Sequence, residues 1–284
     1  MSIRIIAHRG LNLDKSFYVE NSAEAFKNQL SRGYGIEFDI QFSKDEKMIA
    51  IHDESLNRIT NGLDKRLVKD ILSEELLSMD LGGNHLTTIP KLLSMIETNN
   101  SNSLSAIHLK HTHQTQVKMD LLLSELSEIN TEKYIIFDLK NRSAQYIHLK
   151  NPNIQIAGSV SHPNDIIRYN HVVGETLMSK ENLIDNKNIF SWAWLDEWDR
   201  TDKNGGVKSL YNKELFDELR KKDIKIAVVS PELHRSSPGL LGGNIHQDAD
   251  NREHLDKRLK DIIYLEPDAI CTDYPDHISK LLPN

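Results

Sequence analysis

Three short stretches carry residues able to do chemistry together. "AHRG" ends an apolar run with His8 and Arg9, "GIEFDI" sets Glu37 and Asp39 two residues apart, and "IAIHD" ends another apolar run with His52 and Asp53. Side chains alternate along a strand, so Glu37 and Asp39 project to one face with Phe38 opposite. Two carboxylates held that close repel unless positive charge lies between them; a divalent cation bound by oxygen is the usual solution, and a pair of solvated acids is the alternative. Cleaving a phosphodiester needs a base for the attacking hydroxyl or water and an acid for the departing alkoxide, and histidine does either near neutral pH. His8 and His52 on opposite sides of a bound phosphate would divide that labour, whereas a lone histidine at a strand end is more often structural. Arg9 adds a planar bidentate donor suited to phosphate, with an ion pair to a neighbouring carboxylate as its other reading.

The elements that must position these residues are legible as alternation. Eight short apolar runs recur: "IRIIAH" from Ile3, "GIEFDI" from Gly35, "LSAIHLK" from Leu104, "YIIFDL" from Tyr134, "IQIAGS" from Ile154, "IFSWAW" from Ile189, "IKIAVVS" from Ile224 and "DAICTD" from Asp268. Between them lie stretches of helical spacing, such as "NSAEAFKNQLSRG", where Asn21 is placed to cap, Ala25, Phe26 and Leu30 to form the buried stripe, and Gly33 to close the end. Strand–helix alternation repeated eight times predicts a (β/α)8 TIM barrel, with a doubly wound open sheet as the alternative.

Two segments interrupt the repeat. After the second strand, "SKDEKMIAIHD" reads as a turn and a short return strand carrying His52, and residues from 57 to about 100 read as a small insertion. That insertion ends in a helix with Pro90 in its first turn. After the seventh strand, "SPELHRSSPGLLGGNIHQDADNREHL" reads as an extended loop over the mouth of the barrel. The whole chain, 1–284, is expected to form one barrel domain.

Composition narrows the partners. The net charge of −7 argues against a broad nucleic-acid or anionic-membrane surface, because those partners are captured mainly by Lys and Arg. A small anionic substrate remains compatible if the site is locally positive. Cys271 is the only cysteine, so no intrachain disulfide forms and a reducing, cytoplasmic setting is expected. No apolar run reaches the length of a membrane span.

Taken in order, "AHRG", "EN", "GIEFDI" and "IHDESLNRITNG" resemble the glycerophosphodiester phosphodiesterase family, whose signature runs His-Arg, Glu-x-Asp, His-Asp. The likeness continues in "TIPKLLSMI" and in the closing "EPDAICTDYPD", so it spans nearly the whole chain. The resemblance implies a TIM barrel with a small insertion after the second strand, Glu37 and Asp39 as ligands of Mg²⁺ or Ca²⁺, His8 and His52 as the acid–base pair, and Arg9 and Lys110 on the phosphate. It implies attack by the glycerol hydroxyl next to the phosphate, a cyclic phosphate then opened by water, and glycerol 3-phosphate and an alcohol as products. Glu20, in "EN", reads either as lining the metal side or as an acid at a helix N-terminus.

Departures from the family pattern fall on the third, sixth and seventh strands. Where the family has Glu-x-Lys, this chain has "IHLKH": Lys110 is kept, and His108 stands in the place of the third acidic ligand. An imidazole there removes one negative charge and offers nitrogen, which favours Mn²⁺ or Zn²⁺ over Mg²⁺ or Ca²⁺; otherwise His108 does not ligate and water or a neighbouring acid fills the place. In place of the family's Trp-Thr-x-Asn on the seventh strand stands "IAVVSPELHR", with Trp192, Trp194 and Trp198 further upstream. Aromatic rings at the mouth suit a glycerol face or a quaternary ammonium, and core packing is the other reading for Trp192. Glu232 and His234 read either as contacts to the alcohol or as a solvated loop. The leading expectation is a metal-dependent phosphodiesterase; the alternatives are a lyase that stops at the cyclic phosphate and a catalytically impaired phosphodiester-binding barrel.

Overall fold

The computed structural model describes residues 3–15, 17–99, 101–201, 205–233 and 246–283. All eight apolar runs are strands of one closed parallel barrel. Around it run β1 (Arg4–Ala7), β2 (Gly35–Phe42), β4 (Ser105–Leu109), β5 (Tyr134–Phe137), β6 (Gln155–Val160), β8 (Trp192–Leu195), β9 (Lys225–Val229) and β10 (Ala269–Thr272). Closure is explicit, because β1 pairs both β2 and β10 in parallel. That rules out an open, doubly wound sheet. Among the described residues two further strands sit outside the ring: β3 (Met48–Ala50) runs antiparallel on β2, and β7 (Leu177–Met178) pairs β6.

The period of two divides the apolar residues between two layers. Ile6, Ala106, Ile135, Trp192, Ala227 and Ala269 fill the barrel interior. Their sequence neighbours Ile107, Ile136, Ala193, Ile226 and Ile270 face outward into the larger core beneath the helices. Among the described residues the helices are α1 (Ala23–Ser31), α2 (Ser73–Ser78), α3 (Ile89–Thr98), α4 (Gln116–Glu125), α5 (Asn141–Lys150), α6 (Pro163–Tyr169), α7 (Lys180–Asp185), α8 (Lys213–Arg220), α9 (Arg252–Tyr264) and α10 (Pro275–Leu281).

α1 buries Ala25, Phe26 and Leu30 as its spacing predicts, and Gly33 closes it at φ +83°. Its cap is Ser22, whose hydroxyl accepts from the Ala25 N–H at 3.1 Å, and not Asn21. Asn21 stands one residue too early, at φ +56°, and its side chain turns back toward Asp39. Between β3 and β4 the chain wraps a small satellite core of Ile49, Ile51, Leu56, Val68, Ile71, Leu76 and Leu86. α3 then starts with Thr88 as cap and Pro90 in its first turn, and buries Ile89, Leu92, Leu93 and Ile96 in the main core. Among the described residues no helix is long and apolar enough to cross a membrane.

Candidate active site

At the exit of β1, His8, Arg9 and Gly10 form a tight turn in which Arg9 takes a left-handed conformation, φ +52°. The strain is balanced by a specific contact: the Arg9 N–H donates to Glu37 Oε2 at 3.1 Å. Gly10, at φ +71°, is required by packing as well, since a Cβ there would lie 2.9 Å from Phe26 Cδ1. The turn thus aims His8 and Arg9 over the barrel end while α1 seals it from outside.

On β2, Glu37 and Asp39 point into the barrel and are almost fully buried, with Phe38 on the outer face. Register then delivers the third member, because Asp39 lies opposite His108 of β4. One donor atom from each of Glu37, Asp39 and His108 falls within 4.8 Å of the others. His108 Nδ1 is 2.8 Å from Asp39 Oδ1, and Lys110 Nζ is 3.1 Å from the same oxygen. Burial and the neighbouring Asp39 charge push the Glu37 carboxyl up to about 7. Burial acts on Asp39 in the same direction, but Lys110, His52, the His108 hydrogen bond and Arg9 outweigh it and hold Asp39 well below the usual carboxylate range. Two carboxylates and an imidazole, one of the acids short of positive charge, fit a divalent cation.

His8 and His52 each have, on Nδ1, a carboxylate that is not part of the Glu37–Asp39–His108 group. Asp273, just beyond β10, is 2.8 Å from His8 Nδ1, and Asp53 is 2.6 Å from His52 Nδ1. A carboxylate only accepts, so in the neutral imidazole the proton sits on Nδ1 and the Nε2 lone pair is left free for other work. His8 Nε2 lies 4.0 Å from Glu37 Oε2, and both histidines line the same cavity. Their charge states are pushed apart. Burial and Arg9 oppose the His8 cation, but Asp273 and Glu37 outweigh them and raise its pKa. Burial, with Arg9 and Lys110, lowers His52 to about 4 against the pull of Asp39 and Asp53.

Arg9 is brought into the site as an ion-pair partner. It is buried, with Nη1 3.2 Å from Glu20 and Nε 3.4 Å from Asp39. Glu20 is not one of the three residues whose donor atoms cluster, and its carboxylate is held by Arg9 and Arg58. Arg58 grips both its oxygens at 2.6 and 2.7 Å and also holds Asp53, so one chain of charges runs Arg9–Glu20–Arg58–Asp53–His52. Glu232 is likewise buried, accepting from Thr272 Oγ1 at 2.6 Å and from the Asp273 N–H at 3.1 Å. It therefore braces the residue that holds His8. His234 lies outside the described residues.

The cavity enclosed by these groups has a volume of about 220 Å³. Its lining includes the charged or ionisable groups His8, Arg9, Glu37, Asp39, His52, His108 and Lys110 and the apolar side chains Phe137, Leu177, Trp194, Trp198, Val229 and Leu233. Register sets His108 beside Phe137, with the rings stacked at 5.0 Å, and Phe137 in turn stacks on Trp194 at 4.1 Å. Trp192, fully buried, is barrel filling: Arg4 lies over its ring and its Nε1 donates to Gln155. A second cluster, Glu197, His246 and Asp248, stands outside this cavity. Its charge is already balanced by Arg258 and Arg200, which lie 2.6 and 3.2 Å from Glu197.

Four residues of the site are not singled out for it by the sequence: Asn21, read only as a cap, Arg58, Asp273, and Asp138, which also lines the cavity. Asp273 had a signal, in that it follows the last apolar run as His8 follows the first. Asp138 ends "YIIFD" in the same way.

The family model described as the glycerophosphoryl diester phosphodiesterase family matches residues 8–229. A glycerophosphodiester phosphodiesterase of Bacillus altitudinis is 34% identical over 164 residues, 54% of this chain and 65% of that relative, so the match leaves about a third of the relative unspanned. Among solved structures, a glycerophosphodiester phosphodiesterase of Thermotoga maritima superposes with a TM-score of 0.63 at 21% identity, covering 99% of both chains. A phosphodiesterase of Oleispira antarctica, solved with its product sn-glycerol-3-phosphate, gives 0.65 at 14% identity over 98% of this chain and 96% of that one. At these identities the structural likeness is one of fold.

Proposed function

Since the chain belongs to the glycerophosphoryl diester phosphodiesterase family, we propose that it is a metal-dependent phosphodiesterase that converts a glycerophosphodiester to glycerol 3-phosphate and an alcohol. The observation that carries this reading is the pair of His–carboxylate dyads, His8–Asp273 and His52–Asp53, lining one cavity with Glu37, Asp39 and His108. Glu37, Asp39 and His108 would hold the cation, which supplies Lewis-acid neutralisation of phosphate charge. Lys110 and Arg9 add fixed positive charge beside it. One imidazole takes the proton of the glycerol hydroxyl as that oxygen attacks phosphorus, and the other protonates the departing alkoxide. With the roles reversed, water opens the cyclic phosphate. The alcohol would lie against the wall formed by Trp194, Trp198 and Leu177.

A histidine held by a carboxylate on Nδ1 is of little use to a protein that only binds, so the pair favours turnover over the impaired-barrel reading. A lyase would share the first step and release the cyclic product. The single, buried Cys271 suits a cytoplasmic enzyme handling diesters from lipid turnover, and the whole chain, 1–284, is read as one barrel unit.

The test is ³¹P NMR of chelator-treated protein with mixed glycerophosphodiesters, adding Mg²⁺, Ca²⁺, Mn²⁺ and Zn²⁺ in turn. Conversion of diester to monoester only with metal, and a loss of roughly 10²–10⁴-fold in His8→Ala and in His52→Ala, is expected. An accumulating cyclic phosphate would select the lyase. Unchanged diester signals under every condition would overturn the proposal.

A further inference from the structure

His108 is one point at which this chain leaves the family pattern, and its second nitrogen also faces a carboxylate. Nε2 lies 3.4 Å from Asp138 Oδ2, on the side of the ring away from Asp39. Asp138 is the first residue after β5 and adopts a left-handed backbone, φ +56°, unusual for a residue with a side chain. That conformation is fixed from several directions: its carbonyl accepts from Gln114 Nε2 at 2.7 Å, its N–H donates to Ser159 Oγ at 3.1 Å, and the Ser159 hydroxyl donates to Oδ1. Oδ2 is left facing the imidazole. Stacking on Phe137 at 5.0 Å fixes the plane of the ring.

The consequence lies in the tautomer. An imidazole coordinates through an unprotonated nitrogen, and a carboxylate on the opposite nitrogen holds the proton there. Without a cation the Nδ1–H donates to Asp39 Oδ1 at 2.8 Å, and the same closeness would let the two atoms share one cation once that proton is moved to Nε2. We propose that Asp138 is a positioning residue that holds the Nε2–H of His108, so that Nδ1 is free to coordinate the cation beside Glu37 and Asp39. This rests on the metal-dependent reading above, and it explains how an imidazole serves at a position where an acid is expected: a carboxylate needs no fixed tautomer, and a histidine does.

The experiment measures Mn²⁺ affinity by calorimetry and by the electron paramagnetic resonance of free Mn²⁺, without reference to turnover. The proteins are wild type, Glu37→Gln, Asp138→Ala, His108→Glu and the His108→Glu/Asp138→Ala double variant. Removing a carboxylate behind a metal-bound histidine weakens binding about 10–100-fold, so that loss is expected in Asp138→Ala. In the His108→Glu background, the same change should move the affinity by less than about 3-fold. Wild-type affinity in Asp138→Ala, with binding lost in Glu37→Gln, would overturn this inference and leave the metal reading intact. Equal losses in both backgrounds would also overturn it, because Asp138 would then act independently of His108. No Mn²⁺ binding by wild type would overturn both. If Asp138→Ala does not fold, Asp138→Asn replaces it; the neutral amide should still weaken binding at least several-fold, and an unchanged affinity would defeat the idea.

Discussion

Asp273 Oδ1 stands 2.8 Å from His8 Nδ1, although 265 residues separate them. The reason is the closing seam of the barrel: Ala7 and Thr272 are register partners, so the next residue on each strand meets across the seam. Both side chains are buried, and Glu232 fixes the Asp273 backbone. The last strand therefore sets the tautomer of a histidine on the first.

Asp273→Asn should lower kcat about 100-fold or more, because the amide no longer enforces the Nδ1–H tautomer or supports the imidazolium. KM should move less than about 3-fold, since Asp273 does not line the cavity. Steady-state kinetics checks this beside a melting curve showing that the variant is folded; a kcat within a few-fold of wild type would sink the assignment.

Chelation should abolish turnover, and Mn²⁺ or Zn²⁺ should restore it at lower concentration than Mg²⁺ or Ca²⁺, because His108 offers nitrogen. Titrating each ion into stripped protein decides the order, and tighter Mg²⁺ than Mn²⁺ and Zn²⁺ would contradict it. Glu37→Gln should raise the concentration needed for every ion.

Asp276 anchors the start of α10. Burial opposes its charge, but the Lys15 ion pair and hydrogen bonds from Arg32 and Tyr34 outweigh it and hold the carboxyl at about 2. A carboxyl depressed from 3.8 to about 2 stabilises the fold above its unfolded pKa, and that stability is lost as pH falls toward 2. Asp276→Asn should cost about 2 kcal/mol at pH 7, and the gap to wild type should narrow by about 1 kcal/mol at pH 3. Urea unfolding of both proteins at the two pH values measures it, and a gap constant with pH would refute the electrostatic account.

Gly10→Ala should destabilise by about 1–3 kcal/mol, from left-handed strain added to the clash with Phe26. It should also displace the His8–Arg9 turn and so lower activity beyond the loss of stability. Thermal unfolding and kcat together test this; an unchanged melting temperature would show that the turn relaxes freely.

Much of the barrel was readable because its information is local. A period of two in runs such as "GIEFDI" and "IKIAVVS" states which residues face in, and parallel strands buried on both faces must be apolar throughout. The same alternation put Glu37 and Asp39 on one face, and their places at strand ends marked His8 and His52. Capping was less legible, since Asn21 and Ser22 are both good caps and only the chain path from the Arg9 turn chooses between them.

What the sequence by itself determined is therefore the strand set, its inward and outward faces, and the residues standing at the strand exits. Tertiary structure alone decided who meets whom. Closure of the ring joined Asp273 to His8, register set His108 beside Asp39, and the left-handed turn after β5 aimed Asp138 at the far side of that imidazole. Arg9 was drawn between Glu20 and Asp39 because a buried guanidinium must find carboxylates. The physical reason is one of range: side-chain alternation is fixed by the backbone within a few residues, whereas partners across strands depend on shear and closure, which no local stretch of the chain encodes.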